Sequence, residues 1–160
     1  MAVVIWIAEG TWPACIDAAR SFAAEQSEVV LLHVTGDDIA AAAHGAYRGL
    51  LGRGHRERDP GVRFEPIAVS AAAELLDAAA ARLGRVATRI ERHGRVEREV
   101  VRAADGAELL IVARDGDRTR LGPHSLAPAT RFVVDHAPCP VLLVWPEETP
   151  EISSIPPSPR

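Results

Sequence analysis

The residues best suited to chemistry crowd into one stretch, Arg114-Asp115-Gly116-Asp117-Arg118-Thr119-Arg120, followed by His124-Ser125 and Ala127-Pro128. Three guanidinium groups so close together are permanently charged, forked donors, a set that suits a phosphate or a carboxylate. Asp115 and Asp117 lie between them and would neutralise them on a solvated loop. Gly116 would let the backbone approach a bound anion closely. A second group, Ala8-Glu9-Gly10-Thr11, places an acid at the end of an apolar run. His124 and Ser125 beside the two aspartates supply the residue types of a hydrolase triad. There is no G-x-S-x-G elbow, however, and Ser125 does not directly follow a strand. No catalytic residue is therefore assigned. His33 sits in Leu-Leu-His-Val and reads as a packed strand histidine. His44, His55 and His93 lie in separate segments without metal-ligand spacing, so no metal is expected. Cys15 and Cys139 form no C-x-x-C pair and read as two free thiols.

These groups need elements to hold them. Leu109–Ala113 and Val141–Trp145 are short, wholly apolar runs, as expected of parallel strands covered on both faces. Val3–Ala8 and Val29–Val34 read the same way. Arg85–Arg92 alternates Val86, Thr88 and Ile90 with polar residues and predicts a strand near an edge. Between the strands, the spacing predicts a helix from Thr11 as N-cap to about Glu25, with Cys15, Ala18, Ala19, Phe22 and Ala23 on one face. It predicts others over Ile67–Leu83, Val96–Ala104 and Ala127–His136. Ala40–Leu51 reads as a further helix, and Gly52–Gly61 as a mobile loop. Strands alternating with helices give a three-layer α/β sandwich around a parallel sheet. Periodicity alone leaves flavodoxin-like and Rossmann-like strand orders open.

The 160 residues, 48% of them hydrophobic, suit one domain with one core. We read residues 1–146 as that domain and 147–160, rich in Pro and Ser after an acidic start, as a disordered tail. The net charge is −4 and every basic residue is Arg, so neither nucleic acid nor an anionic membrane is an expected partner. Val3–Ile7 follows Met1 without a basic leader and is too short to cross a bilayer, so a cytoplasmic location is expected.

The run from Leu109, with His136-Ala137-Pro138-Cys139-Pro140-Val141 introducing the last strand, resembles the last third of the universal stress protein family. The resemblance implies the adenine nucleotide α-hydrolase-like fold with strand order 3-2-1-4-5. It also implies an ATP site. In family members that bind ATP, an Asp ends strand one, often as Asp-Gly-Ser, and meets adenine. A Gly-x2-Gly-x9-Gly-Ser/Thr motif after strand four wraps the phosphates. Here Glu9-Gly10-Thr11 resembles the first element, and Val34 matches the second-strand end whose backbone meets the base. Counting back from His136, the motif's glycines fall on Arg114 and Asp117 and its Gly-Ser pair on Ala127-Pro128. Pro128 removes a hydroxyl and a backbone donor, and Asp117 adds negative charge. Gly116 is present but one position out of register for Asp117.

The candidate pocket is accordingly Ala8, Glu9, Val34, Arg114, Gly116, Asp117, Arg118, Ala127 and Pro128. The expected function is a stress-response binding or interaction module without tight ATP binding and without enzymatic chemistry. The alternative is an adenine-nucleotide binder with a reshaped phosphate loop. A homodimer through Val141, Leu142, Leu143, Val144 and Trp145 is expected, because the resemblance puts this uncharged strand at the sheet edge.

Overall fold

The fold is described from a computed structural model, which covers residues 1–37 and 60–159, the side chains of 60–69 aside. The helix and loop expected over Ala40–Leu51 and most of Gly52–Gly61 lie outside the described residues. Strand β1 (Ala2–Trp6) leads to helix α1 (Trp12–Phe22), then β2 (Glu28–Gly36). Helix α2 (Pro60–Leu83), β3 (Thr88–Gly94), α3 (Val96–Ala103), β4 (Leu109–Ala113), α4 (Pro128–His136) and β5 (Val141–Val144) complete the domain. All pairings are parallel, in the order β3-β2-β1-β4-β5. The expected strand order and architecture are both found.

The two faces of the sheet divide the core as a period of two requires. Val3, Ile5 and Ile7 pack with Ile16 and Ala19 of α1 and Leu76 and Ala79 of α2. Val4 and Trp6 pack with Val100 of α3 and Val133 of α4. Thus α1 and α2 cover one face, and α3 and α4 the other.

Three expectations need correction. Phe22, placed on the buried face of α1 by its spacing, is 70% exposed, while Ile16 is buried instead. The buried face of α1 is centred on Cys15, Ile16 and Ala19 and reaches Ala23, which leaves Phe22 turned off its flank. Val86 precedes β3 rather than belonging to it and is 95% exposed. Finally, α2 begins at Pro60, ahead of the expected start at Ile67, and runs through Gly61 and Pro66. At β3 the expected edge character holds: Arg89 and Glu91 are exposed, and Arg89 pairs with Asp77. Charge of this kind protects an edge from pairing with another chain.

Candidate functional site

Strand β1 lies between β2 and β4, so the strand order reverses between β1 and β4. The carboxyl ends of two such strands diverge into the crevice where ligands of open parallel sheets bind. Two segments border it: the turn after β1 and the loop between β4 and α4.

The turn after β1 is tied on both sides. Ile7 N donates to Leu32 O at 2.7 Å, and the Ile7 carbonyl lies 2.7 Å from His33 Nδ1. A carbonyl only accepts, so Nδ1 donates in this bond. His33 is thus a brace between β1 and β2. The Ala8 carbonyl takes both Thr11 N, at 3.3 Å, and Trp12 N, at 3.1 Å. Gly10 closes the turn at φ +84°, a left-handed conformation suited to glycine. Glu9 is exposed on this turn, Ala8 is half-buried and Val34 is buried. Thr11 holds the N-cap position of α1, yet its side chain makes no cap bond and is buried instead.

The β4–α4 loop satisfies itself. Asp115 N and Gly116 N both donate to Ser125 O, at 3.1 and 2.8 Å, and Asp117 N donates to His124 O at 2.8 Å. Gly116 is pressed against that backbone: a Cβ there would sit 2.3 Å from His124 O. Glycine is required at 116 by the loop's own close approach, and its amide is already spent.

The aspartates are spent as well. Asp115 Oδ1 accepts Ala127 N at 2.9 Å, and its Oδ2 accepts the hydroxyl of fully buried Thr130 at 2.7 Å. A carboxylate therefore occupies the amino terminus of α4, where unpaired N–H groups and the helix dipole favour an anion. Asp117 Oδ1 accepts both Thr119 Oγ1, at 2.6 Å, and Thr119 N, at 3.0 Å, while Oδ2 takes Arg120 Nε at 3.2 Å. The Thr119 bonds, then Arg120, hold the Asp117 carboxyl down to about 2.

Each arginine of the loop has its own partner. Arg114 Nη1 donates to Ser125 Oγ, and its guanidinium lies 4.5 Å over the Trp145 ring. Burial disfavours its charged form, and its buried Nε has no partner among the described residues. Arg118 pairs with Glu147 at 3.0 Å and Arg120 with Asp117. The three guanidiniums thus engage three different sets of partners.

Residue types alone did not single out Asp115 as the cap of α4, or Thr130 as its second partner. One signal was present. The segment Ala127-Pro128-Ala129 opens a helix without Ser, Thr, Asp or Asn at the N-cap. Such a helix start needs an acceptor from elsewhere in the chain.

No group of three or more His, Cys, Asp or Glu among the described residues is arranged to hold a metal ion. Among the same residues, no helix is long and apolar enough to cross a membrane. Burial pushes the Cys15 thiol up to about 12, and burial also raises Cys139, which is only partly covered. Since the thiolate is the nucleophile, iodoacetamide at pH 8 should label Cys139 in the folded chain and Cys15 only after denaturation. Equal labelling of both, read by peptide mass, would contradict this packing.

The model of the universal stress protein family matches residues 13–144. The chain belongs to the universal stress protein family. Solved structures agree on the fold. The hypothetical protein MJ0577 aligns with a TM-score of 0.68 at 18% identity, over 92% of this chain and 98% of that one. A universal stress protein in complex with cAMP gives 0.55 at 18% identity, over 92% and 98%. Universal stress protein UspA from Lactobacillus plantarum gives 0.55 at 16% identity, over 89% and 97%. None of the curated proteins matches the chain in sequence.

The amino terminus of α4 already holds a carboxylate, Pro128 has no N–H to offer, and the Gly116 amide is bonded within the loop.

Proposed function

We propose that this universal stress protein is a stress-response binding or interaction module that does not hold ATP tightly. The observation that carries the reading is the Asp115 carboxylate on Ala127 N and Thr130 Oγ1, in the place where a phosphate would need the same donors. A phosphate arriving there would have to displace a bonded carboxylate or share the space with it. Charge-assisted hydrogen bonds contribute about 1.5–3 kcal/mol each. Losing two or three of them moves a micromolar site to about millimolar or weaker. Calorimetric titration with Mg-ATP should give no dissociation constant below about 10 μM. A tighter constant would overturn the reading.

A second reading is an adenine nucleotide with little phosphate. It is supported by the turn after β1, where Glu9 is exposed beside the ends of β1 and β2, and by the cAMP complex of one structural relative. Cyclic AMP carries one phosphate charge and asks less of the β4–α4 loop. Titration with cAMP beside Mg-ATP separates the two readings: binding of cAMP alone supports the second, and binding of neither supports the first.

A further inference from the structure

We infer that the segment after β5 is a strap that latches the β4–α4 loop in its self-satisfied arrangement. The strap touches the loop at three points, in the same order along both segments. Trp145 lies under the Arg114 guanidinium, Glu147 Oε1 pairs with Arg118 Nη2 at 3.0 Å, and Ser154 Oγ accepts Leu121 N at 3.0 Å. The tail thus tracks the loop from Arg114 to Leu121. Its far end is a built turn. Ser154 N and Ile155 N close a 3-10 helix at Ile152–Ser154 onto Glu151 O and Ile152 O, at 2.9 and 3.0 Å. The Ser154 hydroxyl also donates to Glu151 O at 2.6 Å, which fixes the oxygen that receives Leu121 N. The segment expected to be disordered therefore has a defined turn with a specific docking point, and its residues lie beyond the 13–144 family match.

The way the strap is held makes it a latch rather than a fixed part of the core. Ile152 is 80% exposed and Ile155 54% exposed, so these two apolar side chains contribute little burial at its far end. The Arg118–Glu147 pair is largely solvated, with Glu147 66% exposed, and such pairs are weak. Pro146 and Pro150 restrict the chain leading to the turn, which lowers the entropy lost on closing. A segment held by a few polar contacts opens locally far more often than the domain unfolds. When it opens, Arg118 and Leu121 N lose their tail partners, and the loop gains freedom to change register next to the sheet crevice. The strap thereby controls access to the carboxyl ends of β1 and β4.

The test is amide hydrogen exchange in the full chain, comparing the natural sequence with Ser154→Ala and with Ser154→Ala/Glu147→Gln. Leu121 N has Ser154 Oγ as its partner, so its exchange should rise about fivefold in the single variant and more in the double. If the strap latches the whole loop, the Gly116 and Asp117 amides, which bond to Ser125 O and His124 O, should speed up as well. The Ile7 and Leu110 amides of the sheet should not change. Unchanged exchange at Leu121 would overturn the latch, as would a rise confined to Leu121. A uniform rise that includes Ile7 and Leu110 would also overturn it, since that is general destabilisation. Tight Mg-ATP binding by the unmodified chain would overturn the reading proposed above and leave the latch standing.

Discussion

Replacing Asp115 by Ala is expected to cost about 2–3 kcal/mol of folding stability. Two losses combine. The helix α4 loses the acceptor for Ala127 N, one of its free amino-terminal N–H groups, and such a bond contributes about 1 kcal/mol. Thr130 Oγ1, on a fully buried residue, loses the carboxylate it donates to, and an unsatisfied buried hydroxyl costs about 1–3 kcal/mol. Urea denaturation at fixed protein concentration measures the difference. A change under about 0.5 kcal/mol would mean that Asp115 is a solvated loop residue and not the cap. A second substitution sharpens the test. In the Asp115→Ala/Thr130→Val background the buried hydroxyl is gone, so the double variant should recover part of the loss. Additive losses would show that the two residues are not coupled.

Asp115 also shows where sequence reading stops. Strand β4 could be read from its residues because it is covered on both faces, and burial on both faces writes itself as an unbroken apolar run. Leu109–Ala113 is an example, matched residue for residue. That Arg114, Asp117, Ala127 and Pro128 are neither glycine nor serine is a fact of residue type, and only the family resemblance makes those positions a phosphate motif. What filled the resulting space could not be read in the same way. The bond from Ala127 N to Asp115 spans 12 residues of loop, and Leu121 N reaches Ser154 across 33. Neither spacing belongs to a repeating element, so no periodicity marks it. Phe22 failed for a related reason. Its spacing in α1 is helical, but exposure depends on how the helix is rotated on the sheet, here toward Ile16 and Ala19, and that is a property of the packed layers.

We propose that the chain is a homodimer paired through β5, and Leu143→Lys is expected to convert it to a monomer. Strand β5 lies at one end of the sheet order, bonded to β4 on one side. All four of its residues are only half-buried within the single chain. The contrast with the other edge is informative. Strand β3 carries Arg89, Glu91, Arg92 and His93, whereas Val141-Leu142-Leu143-Val144 carries no charge. A flat, apolar, uncharged edge invites pairing, and antiparallel pairing about a two-fold axis closes the assembly at two copies. Trp145, immediately after the strand and already stacked under Arg114, would supply a rigid aromatic anchor beside the interface. Light scattering of the intact chain should give the mass of two copies. In Leu143→Lys, facing edges would bring two ammonium groups into an apolar seam, at a cost of several kcal/mol in the dimer, since like-charge juxtaposition and desolvation add. The single chain should tolerate the change better, because a half-buried Lys can extend its head to water. Circular dichroism should therefore keep its α/β shape while the mass halves. A monomeric intact chain would refute the dimer. A Leu143→Lys variant that stays dimeric would place the contact on another face of the molecule.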